Sequence, residues 1–218
     1  MNGKQRSVIL AAVALALLLD SCVPGPGVGS HPTPPAVTAQ GVVLQPGDVP
    51  GVQKCPQSDV WAVLMLHGEP EMLPTGFPAW SDLQAAGATQ GWLSLYADST
   101  PECPLLLGSA PPKGRLVYTA VINFKSSSKA AASFKSGATT FPVAPDFADR
   151  FSAAGGKETR GPSTGFGENS AVATIAARGV PTYVAFWQNK SFDAVVYADN
   201  LSASEATQAV NRMNARIH

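Results

Sequence analysis

The stretch AVATIAARGVPTYVAFWQNKSFDAVVYAD, residues 171–199, decides the fold class. It contains three runs rich in β-branched and aromatic residues, which favour strands. The runs are 171–178, 181–188 and 192–199, and the turns between them fall at Arg178-Gly179-Val180 and at Asn189-Lys190. Connections this short join neighbouring antiparallel strands. The stretch therefore predicts a three-stranded antiparallel meander.

A helix is predicted directly after the meander. Ser202 and Glu205 have the spacing of a capping box, which starts a helix. Apolar residues then recur with helical spacing, so that one stripe would face the sheet. The stripe consists of Ala206, Val210, Met213 and Ile217.

The segments before residue 138 add strands and helices in separate places. Residues 115–124 read as a strand, and 125–138 as a serine-capped helix that ends at Gly137. Residues 91–98 alternate Trp, Ser and Tyr with Leu, Leu and Ala, which predicts a half-buried strand. This arrangement predicts an α+β fold, an antiparallel sheet with helices packed on one face and possibly two similar halves.

The other segments give shorter elements. A bulky apolar run predicts a strand at 60–66, and residues 81–90 predict a short helix with Ser81 as its N-cap. A further short helix is expected at 144–156. Residues 67–80 and 157–170 are expected to be loops, because prolines break the first and glycines the second.

The N-terminus has the pattern of a signal peptide. Lys4 and Arg6 precede the unbroken apolar run from Val8 to Leu19. That run is short for a bilayer span, which needs roughly 20 apolar residues. A buried core helix at the N-terminus is the alternative.

Leu19-Asp20-Ser21-Cys22 resembles the lipobox of bacterial lipoproteins. The resemblance implies that residues 1–21 are removed and that Cys22 receives diacylglycerol. Asp20 departs from the pattern, since a small residue usually stands there. Ordinary signal-peptidase cleavage after Gly25 remains the alternative, with Val23 and Gly25 as tolerable residues.

Residues 22–41 are rich in proline and glycine and lack a hydrophobic period. Such a segment cannot bury enough apolar surface to offset its ordering entropy. We expect it to be a flexible tether, with His31 solvated in it, and residues 42–218 to form a single extracytoplasmic domain.

The chain has three cysteines, an odd count for an exported protein. If Cys22 carries lipid, Cys55 and Cys103 remain as a pair, which an oxidising compartment would bridge. Two free buried thiols are the alternative. A zinc site is disfavoured, because no C-x-x-C or paired-histidine spacing occurs.

Charge limits the classes of partner. The chain has 15 basic and 15 acidic residues, and without Lys4, Arg6 and Asp20 it keeps 13 and 14, a net of −1. Nucleic acids and anionic head groups both call for a basic cluster, and none is visible. We therefore expect no nucleic-acid partner and membrane contact only through the lipid anchor.

Two short motifs suggest chemistry that their context does not support. GPSTG, 161–165, matches the nucleophile-elbow pattern around Ser163, but it lacks the flanking strand and helix, and the only later histidine is His218. His67, Glu69 and Glu71 could bind a metal, but prolines keep them off one helical face. We therefore predict no catalytic residue, no metal and no cofactor.

Aromatic residues in loops are the candidate ligand contacts. Phe77 and Trp80 lie in the proline-broken loop, and Trp187 ends a strand beside a turn. Exposed loop aromatics can anchor a partner. A Trp80 folded down over the sheet edge is the alternative. Trp61 and Trp92 lie in apolar strands and are expected in the core.

The layout over about residues 105–218 resembles the sensor-like extracellular domains of actinobacterial membrane kinases and their stand-alone lipoprotein relatives. A strand ending in INF, then SSSKAAASF, a Gly-rich loop, a meander and a terminal helix carry the resemblance. It implies a domain that binds or senses, and it assigns no functional residue. We expect a membrane-tethered, non-catalytic binding or sensing module of the cell envelope with an unknown protein or small-molecule partner. An envelope hydrolase and a lipid or small-ligand carrier are the alternatives.

Overall fold

A seven-stranded antiparallel sheet organises the part of the chain that the structure describes. The structure is a computed structural model, and it describes residues 36–60, 79–106, 110–137, 155–177 and 179–218. Residues 36–218 form one compact unit. None of the helices in the described ranges has both the length and the hydropathy needed to cross a membrane.

The elements are numbered in chain order. The strands are β1 (Gln53–Lys54), β2 (Ala88–Ala97), β3 (Leu116–Phe124), β4 (Lys157–Arg160), β5 (Ser170–Ala177), β6 (Val180–Asn189) and β7 (Phe192–Asp199). The α-helices are α1 (Ala39–Val42), α2 (Trp80–Ala86), α3 (Ser127–Ser136) and α4 (Ala203–Asn214). In the described ranges, 3-10 helices span Thr100–Leu106 and Gly161–Thr164.

The strand order is β1-β2-β3-β7-β6-β5-β4, with every neighbouring pair antiparallel. The predicted meander is therefore confirmed as β5-β6-β7. Its last strand pairs with β3, so the meander and the upstream strands share one sheet. The α+β fold class is confirmed.

One face of the sheet, which we call the first face, carries α1 and α4. Alternate strand residues such as Val117, Ala185 and Val196 pack there, each at most 2% exposed. The stripe predicted on the terminal helix points onto this face. Its four residues, Ala206, Val210, Met213 and Ile217, are all buried.

The opposite, second face carries α2 and α3. It packs the intervening strand residues, among them Leu95, Tyr118 and Val184, against Leu83 of α2 and Ala130 of α3. Helices thus cover both faces, and not one as expected. The central strands show why. In β2 and β3, the residues that point to either face are mostly buried, Ser94 and Thr119 included.

Capping explains where the two longer helices begin and end. Ser126 accepts from the backbone N–H of Lys129 and starts α3, and Gly137 ends it with a left-handed φ of 74°. Ser202 and Glu205 form the predicted capping box of α4. These boundaries confirm the sequence prediction.

The N-terminal boundary of the folded unit differs from the prediction. We expected the tether to reach residue 41, but Ala39 is 1% exposed and Val42 is fully buried. Thr38 caps α1 by accepting from Gly41 N, and the hydroxyls of Ser94 and Tyr96 both donate to Leu44 O. These hydrogen bonds satisfy backbone groups inside the core and hold the segment in place. The bonds to Leu44 join residues far apart in the chain, so no local sequence pattern indicates them.

Three other boundaries are also corrected. The helix near residue 81 begins at Trp80 with Ala79 as its N-cap and ends at Ala86, so that β2 already begins at Ala88. Residues 157–160, expected in a loop, form the edge strand β4. Val60, expected to start a strand, belongs to a helical segment, residues 57–60. The predicted strand at 61–66 and helix core at 144–154 lie outside the described residues.

Candidate functional site

An open groove lies at one end of the sheet, beside the beginning of α4. Its volume is about 690 Å³. We call it the α4 groove. It is lined by Gly155, Lys157, Thr174, Ile175, Ala176, Pro181, Thr182, Tyr183, Asn200, Leu201, Ser202 and Ala203.

The groove forms because the chain turns sharply from β7 into α4. Asn200 adopts a left-handed φ of 58°, which an asparagine tolerates better than most residues. Its side-chain Nδ2 donates to Pro112 O at 3.1 Å and to Gly114 O at 2.9 Å. This anchored turn brings Leu201–Ala203 beside the ends of β5 and β6.

Cross-strand register places the floor of the groove on the first face. Lys157 pairs with Thr174, Thr174 with Tyr183, and Tyr183 with Ala198. Residues directly opposite one another in antiparallel strands share a face. The helix α4 contacts β6 and β7, so the first face of β4 and β5 lies beside it. The groove lies between the side of α4 and the first face of β4 and β5.

The lining of the groove is mostly apolar, with a few polar groups at its margins. Thr174 and Ala176 are exposed on β5, and Leu201 is buried beneath the start of α4. The Thr182 hydroxyl donates to Asp199 Oδ1 at 2.6 Å. Among the groove-lining residues the structure describes, only Lys157 carries a formal charge. Apolar concavities with few polar groups are the usual form of ligand sites.

Tyr183 is a buried polar residue of the groove. It is 3% exposed, and its hydroxyl lies 3.4 Å from Thr207 Oγ1. Burial raises the pKa of Tyr183, although the Thr207 hydrogen bond lowers it in part. The phenol therefore stays protonated at neutral pH and can act as a hydrogen-bonding group.

An ionic cluster holds the start of α4 from its other side. Arg115 Nε donates to Asp98 Oδ1 at 2.9 Å, and Arg115 Nη1 lies 3.7 Å from Glu205 Oε1. Partial burial opposes ionisation of Asp98, but the hydrogen bonds and charge of Arg115 outweigh it and lower the pKa of that carboxyl. The Ser202 hydrogen bonds lower the pKa of Glu205. The cluster holds in place the beginning of α4, which forms one wall of the groove.

The predicted pair of cysteines is bonded. Cys55 and Cys103 form a disulfide with a Cα–Cα distance of 5.7 Å across 48 residues of sequence. Both residues are buried in the second-face core, at 1% and 0% exposure. The bond ties the segment after β1 to the first turn of the 3-10 helix that follows β2.

The aromatic candidates lie elsewhere than expected. Trp80 begins α2 and is 7% exposed within the second-face core, so its placement in an exposed loop is corrected. Trp187 is fully buried, and its indole N–H donates to Asn214 Oδ1 at 3.1 Å. Trp92, expected in the core, is only partly buried. Phe77, the other ligand-contact candidate, lies outside the described residues.

Of the remaining candidate residues, the structure describes only Ser163. Ser163 is exposed on the 3-10 helix Gly161–Thr164, which follows the exposed edge strand β4 and leads into strand β5, whereas a nucleophile elbow joins a hydrophobic strand to an α-helix. Cys22, His67, Glu69 and Glu71 lie outside the described residues. Within the described ranges, no three His, Cys, Asp or Glu residues are grouped to hold a metal ion.

The sequence did not indicate the α4 groove, because its residues come from four separate segments. Thr174 and Ala176 read as ordinary outward positions of a strand. The only local signal was the capping box at Ser202, which locates the helix start but not the space beside it.

No family model matches the chain, and no curated protein sequence matches it. Among solved structures, the chain is similar to the crystal structure of the extracellular domain of PknH from Mycobacterium tuberculosis. The TM-score is 0.47 and the identity 13%, over 82% of this chain and 94% of that chain. A likeness at this level assigns no function.

Proposed function

We propose that the protein is a lipid-anchored, extracytoplasmic module of the cell envelope that binds or senses a ligand without catalysing a reaction. The observation that carries the proposal is the α4 groove of about 690 Å³. Its volume lies in the range of small-molecule sites. Its polar groups are hydroxyls, an amide and one lysine, which suit binding.

The disulfide supports an extracytoplasmic location. Structural disulfides persist in oxidising compartments and are rare where thiols are kept reduced. The Cys55–Cys103 bond is buried in the second-face core, so it contributes to the folded state itself. A domain built around such a bond fits export across a membrane.

The anchor rests on the sequence. The apolar run Val8–Leu19 and the stretch ending at Cys22 support lipidation of that cysteine. The compact unit begins at Ala36, so residues 23–35 would form the tether. In an extended polyproline conformation, such a segment spans about 40 Å.

The binding role follows from the chemistry of the groove. Its apolar floor would bury the apolar part of a ligand, while Thr174, Ser202 and Asn200 would orient polar parts. Lys157 at the margin is exposed and would favour a ligand with an anionic end.

Two substitutions test the two halves of the proposal. Cys22→Ser should abolish palmitate incorporation and move the protein out of the membrane fraction, whereas Cys55→Ser should leave palmitate incorporation intact. Ala176→Trp should fill the groove and block ligand binding without altering the anchor. Palmitate incorporation that persists in Cys22→Ser would contradict lipid anchoring at this residue.

A further inference from the structure

A second hollow lies on the first face between α1 and the beginning of β2, around a partly exposed tryptophan. It has a volume of about 280 Å³. We call it the Trp92 hollow. It is lined by Thr38, Ala39, Gln40, Thr89, Gln90, Gly91 and Trp92.

Trp92 lies where the cover of the first face ends. It pairs with Val121 of β3. Ser94 and Tyr96, two and four positions further along β2, are buried below the segment after α1. Trp92 packs against the core with part of its surface and lines the hollow with another part. The indole is thereby held in place by packing while remaining accessible.

A β-bulge aims a second side chain into the same hollow. Ala88 pairs with Phe124 and Gln90 with Asn123, so Thr89 is the extra residue in β2. The bulge places Gln90 and Trp92, two positions apart, on one face of the strand. Bulges at sheet edges commonly re-aim side chains beside functional sites.

Hydrogen bonds within the protein determine which donors and acceptors of the hollow are left to bond a ligand. Gln90 Oε1 accepts from Ala39 N at 3.1 Å, which directs the NH₂ end of the amide away from α1. Thr38 Oγ1 accepts from Gly41 N at 3.1 Å and keeps its hydroxyl proton to donate. Gln40 adds an exposed amide with both a donor and an acceptor.

The hollow is uncharged throughout. All seven lining residues are neutral, so the site offers neither a cation for an anionic ligand nor a carboxylate for a cationic one. What it offers is a flat aromatic surface with amide and hydroxyl groups around it. A ligand that matches this surface is neutral, has an apolar ring face and carries many hydroxyl groups.

A separate, smaller hollow of about 60 Å³ adjoins the Trp92 hollow. Gln40 and Trp92 line both hollows, and Gln45, Ser94 and Tyr96 contribute to the smaller one. Lys54 also lines it, but its ammonium is paired with Asp59 at 2.7 Å. A ligand of more than one ring could therefore run past the indole.

We infer that the Trp92 hollow binds a neutral saccharide, with one sugar ring stacked on the indole of Trp92 and its hydroxyls hydrogen-bonded by Gln90, Gln40 and Thr38. The stacking uses the apolar face of the ring, and the amides replace water at the hydroxyls. This site is separate from the α4 groove and does not depend on the function proposed for that groove.

The test titrates the full chain, in detergent, with three neutral trisaccharides: maltotriose, cellotriose and chitotriose. Binding is followed by calorimetry and by the NMR signal of the Gln90 side-chain amide, at ligand concentrations up to about 10 mM. Gln90→Glu keeps the shape and the acceptor for Ala39 N but removes the NH₂ donors. Gln84→Glu, at an exposed position on α2, is the matched control.

We expect at least one trisaccharide to bind and to shift the Gln90 amide signal. Gln90→Glu and Trp92→Ala should each weaken that binding by at least about tenfold, while Trp92→Phe should retain most of it and Gln84→Glu all of it. Thermal unfolding of each variant shows whether the chain remains folded, and the exposed Gln90 supports the test if Trp92→Ala does not fold.

Three results would overturn the inference. The first is no binding of any trisaccharide in this range. The second is binding that Gln90→Glu leaves unchanged, which would place the site elsewhere. The third is a hollow that responds to tetramethylammonium or to an extended peptide and to none of the three sugars.

Discussion

Arg216 and Asp48 join the two ends of the folded unit. Arg216 Nη2 lies 2.5 Å from Asp48 Oδ1, and their side chains are 28% and 8% exposed. Asp48 also accepts from Gln45 N at 2.7 Å, and Arg212 of α4 donates to Gly47 O at 2.9 Å. The segment after α1 is thus held by the end of the terminal helix.

Asp48→Ala should lower the free energy of unfolding by about 2 kcal/mol, because it leaves Arg216 and Gln45 N without their partner. Urea unfolding measures the change. The exposed pair Lys54–Asp59, at 2.7 Å, offers the control. Lys54→Met should change the stability by no more than about 0.5 kcal/mol. Equally small changes in the free energy of unfolding of both variants would show that the pair Arg216–Asp48 stabilises the protein no more than an exposed pair does.

Removing the disulfide should destabilise the protein strongly. Closing a loop over 48 residues corresponds to about 4 kcal/mol of chain entropy in the unfolded state. The double variant Cys55→Ala, Cys103→Ala should therefore lose about 3–4 kcal/mol of unfolding free energy and become more sensitive to protease. A variant that unfolds at the wild-type urea midpoint would contradict this role.

Trp80→Ala should reduce stability by about 3 kcal/mol, since the indole is 7% exposed in the second-face core. Val60→Ala, at a site 56% exposed, is the control and should change stability by no more than about 0.5 kcal/mol. A Trp80→Ala protein with unchanged stability but impaired ligand binding would restore Trp80 as a contact residue.

The ionic cluster at the start of α4 should shape the acid side of the stability profile. The pKa of Asp98 is lower in the folded state than its unfolded value of about 3.9. Its contribution is therefore complete above that unfolded value and is lost as the pH falls through the folded pKa. Asp98→Asn should flatten this part of the profile, measured by urea unfolding from neutral to acidic pH.

The exposed Asp82→Asn on α2 serves as the control for that profile. It should leave the slope on the acid side close to that of the wild type. If Asp98→Asn also keeps the wild-type slope, the hydrogen bonds from Arg115 do not stabilise the folded state through Asp98.

The sequence predicted the elements whose signals are local. The meander, the caps Ser126 and Ser202, and the stripe Ala206–Ile217 depend on residues close together in the chain, and each was found where expected. The strand at β2 was also predicted, but not its burial, because Ser94 and Tyr96 on one face are as buried as Leu93 and Leu95 on the other.

What depends on distant contacts could not be predicted. The segment around α1 is held by residues far along the chain, since Arg216 donates to Val43 O and Tyr96 to Leu44 O, so the sequence alone predicted a longer tether. Trp80 followed a proline-broken run and looked like a loop residue, but it is the first residue of α2, and its side chain packs into the second-face core. The α4 groove and the Trp92 hollow each combine residues from segments that lie far apart in the sequence.

The central claim, that the protein binds a ligand in the α4 groove, is tested most directly by NMR of the protein titrated with fractions of an envelope extract. We expect saturable chemical-shift changes at Thr174, Ala176 and Ser202 with at least one fraction. Ala176→Trp should abolish these shifts, whereas Ala132→Trp, at an exposed alanine of α3, should not alter them. Shifts that persist in Ala176→Trp, or no saturable shift at the groove with any fraction, would contradict the claim.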